Sequence, residues 1–442
     1  MKKSLLLTLL VISFGANAQF WTEKATGFTT PDRGIYSISI VDANSVWAVA
    51  SNYNGSIEDT TIKEFTKSTD SGNTWTPGII DLGVATNELG ISSITAVSAT
   101  TAWVSVSPGN TQLGGIWKTI DGGVTWTKQA SAQFSNSTDS YANFVHFWDA
   151  NNGIAAGDPE NGEFEIYTTI NGGTNWTRVP GANIPDPNPD TNGEFGWENL
   201  YTVSGNTIWF GTDRGRLFRS SDKGLSWDAY QSPSTDFMFD NFAFSDTTKG
   251  LLTIYGLPIT LYNTLDGGAT WNLVTTTGMS NTDIAYIPGT STVVAGDWQN
   301  PKGSSYSLDD GVNWISIDSG IRHGTQKFLN SSFGFSGGFN TDATTGGIFK
   351  FTGIPLKAPS FDFKNQIAAY PNPTNGILHL NSESSLIKEA TVFDLLGRQV
   401  YSPKFSAINK VDLDLKSLQA GAYVLKVTTD SGTTETVKIM KK

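Results

Sequence analysis

No cysteine occurs among the 442 residues, which excludes disulfide staples, thiol nucleophiles and cysteine-ligated zinc. Histidine is nearly absent: the three copies, at 146, 323 and 379, stand on separate segments, and no pair has a metal-ligand spacing. Basic residues number 29 against 41 acidic ones and form no stripe, so the chain lacks what a nucleic-acid or anionic-membrane surface requires. No Walker-type phosphate loop is present. Long apolar runs are missing too, except from Leu5 to Phe14, which is too short to span a bilayer. That run follows Lys2 and Lys3 and precedes Ala16-Asn-Ala18, the layout of a signal peptide cleaved after residue 18, so the mature chain is expected to carry no transmembrane segment. The sequence carries a net charge of −12, with +2 in its first 18 residues and nine basic against seven acidic residues in 367–442; residues 19–366 hold the remaining −16.

What is present is one short pattern, six times over. Its acceptor and aromatic positions are Asp70 and Trp75, Asp121 and Trp126, Asn171 and Trp176, Asp222 and Trp227, Asp266 and Trp271, and Asp309 and Trp314. Successive tryptophans are 43 to 51 residues apart, the length of a four-stranded propeller blade. Each copy lies between two β-type runs, such as Gly115-Ile-Trp-Lys-Thr119 and Val124-Thr-Trp-Thr-Lys128, and so closes a hairpin. The acid accepts backbone N–H groups a few residues on, the glycine takes a positive φ, and the indole packs between sheets. The pattern resembles the Asp box, or BNR repeat, of the sialidase-like superfamily, which includes sortilin-type receptors, xyloglucanases and photosystem II assembly-factor-like propellers. In those families the box lies on the outer rim, so the resemblance implies a structural role for these twelve residues.

Second-strand runs recur seven times, from Ser45-Val-Trp-Ala-Val49 to Phe333-Gly-Phe-Ser-Gly337, and the last has no box after it. Trp21-Thr-Glu-Lys-Ala25 looks like an orphaned fourth strand. The expected fold is therefore all-β: a seven-bladed β-propeller over residues 19–354, closed by its N-terminal strand, and then a small Ig-like β-sandwich. Residues 355–366 read as a linker. Residues 367–442 contain Tyr370-Pro-Asn-Pro373, Phe393-Asp-Leu-Leu-Gly-Arg398, Leu418-Gln-Ala-Gly-Ala-Tyr423 and a basic tail, in that order. This segment resembles the type A C-terminal sorting domain of the type IX secretion system. The resemblance implies handling by that machinery and a final location secreted or on the outer cell surface.

Function is expected on the face opposite the boxes, because the long insertions all join blades or join second to third strands. They supply the candidate ligand-binding residues Arg33, Asp158, Glu160, Trp197, Glu198, Asp213, Arg214, Asp297, Trp298, Arg322 and His323. The first expectation is a binding module for a glycan, peptide or envelope partner. The alternative is a secreted glycoside hydrolase or lyase, which needs two carboxylates flanking a sugar, drawn from these acids and Glu194, with tryptophan stacking. A true sialidase needs an arginine triad and a Phe-Arg-Ile-Pro segment; that segment is absent, and Arg33, Arg214, Arg216 and Arg322 are the arginines available near the channel mouth. No metal or other cofactor is expected, apart from Ca²⁺ as an open option at Asp158-Pro-Glu-Asn-Gly162 or Asp186-Pro-Asn-Pro-Asp190.

Overall fold

In each of its six copies the repeated turn joins the third and fourth strands of an antiparallel set of four. The computed structural model describes residues 20–53, 58–59, 62–83, 88–109, 113–134, 140–188, 193–234, 241–254, 256, 258–297, 302–354, 367–382, 386–394, 397–430 and 434–442. The expected signal peptide and linker lie outside them. Contacts divide the chain into two units, residues 1–356 and 357–442.

The first unit holds five separate four-stranded sheets and one nine-stranded sheet. The latter is two blades joined by a single pairing, Gly34 with Phe339. Seven blades result. Their first strands are Arg33–Ile40, Gly90–Ala96, Ala142–Phe147, Gly196–Ser204, Asn241–Phe244, Asp283–Tyr286 and Gln326–Asn330, numbered here as blades 1 to 7. Each first strand touches the next around a closed ring, and the seventh touches the first. The strand Trp21–Ala25 pairs antiparallel with Thr345–Phe351, in register from Trp21 opposite Phe351 to Ala25 opposite Gly347. The N-terminal strand thus completes blade 7, leaving no open ladder where the ring closes.

Stability comes from the seams between blades. Trp47, Val49 and Phe65 of blade 1 share one buried cluster with Ile94, Val104 and Val106 of blade 2. Each fully buried aromatic of this kind contributes about 2–3 kcal/mol. The repeated turns belong to these seams. Gly72 has φ +75°, and a Cβ there would stand 2.3 Å from the Phe335 ring of blade 7; Gly123, at φ +88°, meets Phe65 of blade 1 in the same way. Backbone conformation and space therefore both demand glycine. The Asp70 carboxylate accepts the N–H groups of Asn73 at 3.1 Å and Thr74 at 2.9 Å, and the hydroxyls of Ser68 and Thr74 at 2.8 and 2.7 Å. These bonds, led by the Thr74 hydroxyl, hold its pKa down at about 2. Asn171 keeps the equivalent bond from the Asn175 N–H at 2.9 Å. Trp75, Trp126, Trp176, Trp227 and Trp314 are buried, and Trp271 is half-buried.

The second unit is a β-sandwich. One sheet contains Ile367–Tyr370, Ile377–Ser382 and Lys410–Asp414. The other contains Gln399–Tyr401, Ile387–Phe393, Gly421–Thr429 and Thr434–Lys441, with Lys404–Ile408 beside it. Alternating residues of both sheets, including Leu378, Leu380, Val392, Val411, Leu425 and Ile439, form a single core. The Asn372 amide bonds Lys438 O at 2.8 Å and accepts Met440 N–H at 2.9 Å, tying the first turn to the last strand.

Candidate functional site

Antiparallel blades place the repeated turns at one end and the loops joining blades, or joining second to third strands, at the other. At this second end four consecutive first strands are bulged. Tyr36, Ser92 and Asn143 are each an extra residue in the pairing with the second strand. In blade 4 the four residues from Trp197 to Leu200 stand opposite Gly211 alone. A bulge re-aims side chains that regular pleating would commit to the sheet faces, and here the bulges of blades 1, 2 and 4 find one another, while Asn143 bonds Asp158 on its own blade. Ser92 donates to Glu198 Oε1 at 3.1 Å, the Tyr36 hydroxyl donates to Glu198 O at 3.3 Å, and the Ser37 hydroxyl donates to Asn199 Oδ1 at 3.0 Å. The Asn199 amide donates to Tyr36 O at 3.1 Å. Asn199 itself has φ +58°, a left-handed conformation that asparagine tolerates. Blade 4 thus sends a strap across to blades 1 and 2.

Beside the strap, between blades 3 and 4, lies a cleft of about 870 Å³ whose lining includes Tyr141, Asn143, Asp158, Asn188, Phe195, Trp197 and Glu198. Asp158 forms its floor. Its Oδ1 accepts the Asn143 amide at 2.7 Å and the Gly196 N–H at 2.9 Å, linking the two blades. Burial pushes its pKa up to about 7, with the Glu198 and Asp213 charges adding to the rise. Glu198 is also raised by burial, against the pull of the Ser107 and Ser92 hydroxyls. Tyr141, Phe195 and Trp197 are 36–39% exposed, and the Phe195 and Trp197 rings meet edge-on with centroids 5.7 Å apart.

The long connection bearing these aromatics is fixed by a buried ion pair. Arg216 Nη2 meets Glu194 Oε2 at 2.7 Å while its Nε spans both carboxylate oxygens, and Glu194 also accepts the Asn188 N–H at 2.8 Å. Arg216 Nη2 donates to Asp186 O at 2.8 Å as well. Glu194 and Arg216 are therefore scaffolding. So is Asp213, buried, raised in pKa by that burial, and bonded to the Phe195 N–H at 3.0 Å. Arg214 donates twice to Gly193 O, at 2.9 and 2.8 Å.

Of the sequence candidates, the structure brings together Asp158, Trp197 and Glu198, with Asp213 and Arg214 behind them. Glu160 sits at the tip of a hairpin opposite Glu163, outside the cleft lining. Arg33 is ion-paired with Glu64 on its own blade, and Arg322 stacks on Phe339 at 5.3 Å. Asp297 meets Lys302 at 3.4 Å, and Trp298 lies outside the described residues. The four arginines of the channel mouth thus have separate partners rather than a common focus.

His323 needs correction as a ligand contact: it is fully buried, its ring stacked on Trp21 at 5.6 Å and close to Phe349. Its Nδ1 faces the Ser336 hydroxyl at 3.2 Å and its Nε2 faces Asp318 Oδ2 at 3.1 Å. Ser336 lies within Gly334-Phe-Ser-Gly-Gly338, the spacing of a nucleophile elbow. It is nevertheless in mid-strand and 0% exposed, so this Ser-His-Asp line is a packed polar network. For calcium, the described residues contain no cluster of three or more metal-ligating side chains of the His, Cys, Asp and Glu types. Tyr141, Asn143 and Phe195 were not legible as cleft residues, because their grouping depends on the bulges in the first strands of blades 3 and 4.

Residues 368–442 match the family of secretion system C-terminal sorting domains. The second unit is a type IX sorting domain, which marks the chain for export to the cell surface or beyond it. No curated protein matches the chain. Among solved structures, YCF48 from Cyanidioschyzon merolae is 17% identical with a TM-score of 0.52, covering 75% of this chain and 98% of that one. YCF48 bound to D1 peptide is 15% identical with a TM-score of 0.50, covering 76% and 98%. Likeness at this level establishes the propeller fold.

Proposed function

We propose that this exported propeller is a non-catalytic binding module whose cleft between blades 3 and 4 takes a glycan in preference to a peptide or envelope protein. The observation carrying this reading is the wall of the cleft. Three partly exposed aromatic rings surround a floor of fixed acceptors, and sugars present both apolar C–H faces and hydroxyl donors. The Glu194–Arg216 pair and the Asp158 bridge hold that wall in place before any ligand arrives, which lowers the entropic cost of binding.

A glycan array probed with the full chain is the test. Binding to one glycan class is expected, reduced about tenfold by Trp197→Ala, the effect of losing one stacking ring. Binding to peptides alone, or glycan binding that Trp197→Ala leaves intact, overturns the proposal.

A second reading, glycoside hydrolysis, rests on the electrostatic coupling of Asp158 and Glu198 in one cleft. An acid titrating near 7 beside another carboxylate suits general acid chemistry. Release of reducing ends from a bound polysaccharide, abolished by Asp158→Asn, would establish it; binding without release favours the module.

A further inference from the structure

The seven first strands enclose a second space, a lumen of about 600 Å³ along the propeller axis. Lys327, on the first strand of blade 7, extends into it and carries its Nζ to 5.7 Å from the ring centroid of Tyr201 on blade 4. Blades 4 and 7 face each other across the ring, so the ammonium stands in the lumen and not against its own blade. Among the described residues no acceptor lies within hydrogen-bonding distance of it and no carboxylate within ion-pairing distance. Burial lowers the Lys327 pKa from its ordinary value, and Asp283 opposes that fall from longer range. Lys327 is half-buried, so apart from the Tyr201 ring its three donors are left to whatever fills the lumen.

None of the charged groups facing it forms an ion pair with it. The Asp283 carboxyl accepts the Asn241 amide at 2.6 Å, and burial pushes its pKa up to about 7 against the opposing pull of Lys327. His146 is pushed down to about 3, by burial first and then by Lys327, and stays neutral. Asp297, the remaining acid on the lumen wall besides Glu198, is engaged with Lys302, and Glu198 is engaged with Ser92. Among the described residues Lys327 is the one lysine or arginine on the lumen wall, so an anion entering the lumen would meet its positive charge there.

We propose that the lumen is a binding site for a small organic carboxylate, whose anionic oxygens sit against the Lys327 ammonium while its body lies along the Tyr201 ring. The volume fits a ligand of monosaccharide size, and a sugar acid such as a uronate combines the two chemistries. Lys327 gives the charge, Asp283 and Asn241 the directional polar contacts, and Tyr201 the apolar surface.

Calorimetric titration of the full chain with acetate, lactate, citrate and glucuronate, and with glucose as the neutral counterpart of glucuronate, tests this. At least one carboxylate should bind with Kd below about 1 mM, and glucuronate at least tenfold tighter than glucose. Lys327→Met should remove carboxylate binding, and Lys327→Arg should retain part of it. Without ligand, Lys327→Met should melt at the same temperature as the parent or higher, because it removes a partly buried cation that has no ion pair; a purely structural lysine would lower it. Silence from all four carboxylates, equal binding of glucose and glucuronate, or carboxylate binding retained by Lys327→Met overturns the proposal.

Discussion

The two ends of the same blades use the same residue type in opposite ways. At the turn end, Asp121 is exposed and Asp70 half-buried, both ringed by N–H and hydroxyl donors and held near pKa 2, led in each case by the hydroxyl four residues on. At the loop end, Asp158 is driven up to about 7 by burial, and so is Asp283 at the first-strand start of blade 6. Donors that close a turn stabilise the charge they surround, whereas a cleft or lumen that excludes water penalises it. An acid costly to ionise is a site candidate, while one that ionises readily in a repeated turn is architecture.

The comparison breaks most severely where the turn itself is destroyed. Gly72→Val places a β-branched side chain at φ +75° and into the Phe335 ring, and should cost about 3–4 kcal/mol, seen as a lowered midpoint in denaturant unfolding. Ligand binding at the loop end of the molecules that remain folded should be unaltered; a change in affinity would show that the two ends are coupled.

A smaller effect, on the order of 2 kcal/mol, should sharpen the contrast through pH. The folded pKa values of Asp158 and Asp283 lie above their ordinary 3.8, so the folded chain holds protons that the unfolded chain releases. Their stabilising contribution is full below about pH 4 and is lost as pH rises to 7. For Asp70 and Asp121 the sign reverses: the folded values lie below 3.8, and their contribution is full above that value and lost as pH falls through 2. The melting temperature should therefore be higher at pH 5 than at pH 8, and Asp158→Asn should reduce the difference. A flat profile over that range would remove the distinction between the ends.

The smallest effects concern single turns. Asp70→Ala removes an acceptor of four hydrogen bonds and should cost about 1 kcal/mol, discounted for its exposure. Asp70→Asn should cost less than half of that, since Asn171 already closes the third turn with an amide. Equal losses for the two variants would mean that charge, not acceptance, holds the turn.

The blades were legible because a hairpin turn is a local object. Acceptor, glycine and tryptophan lie within eight residues, and the 43 to 51 residue spacing exposes the period. The orphan strand Trp21–Ala25 was legible for the same reason, as a fragment of a pattern already seen. Trp197, Asp158 and Glu198 could be named as candidates from loop length alone. Their grouping with Tyr141 and Asn143, the enclosure of His323, and the placing of the Lys327 ammonium over the Tyr201 ring could not, since each depends on which strand is bulged and which blade lies opposite.

Sequence by itself determined the all-β class, the seven-fold repeat and the two-part organisation with its sorting domain, because periodic spacing and local turn chemistry encode them directly. Tertiary structure alone decided the cleft, the strap and the lumen. Tyr36, Ser92 and Glu198 meet only when the bulged strands are set around a closed ring, and ring closure converts separations of 106 to 162 residues into hydrogen bonds.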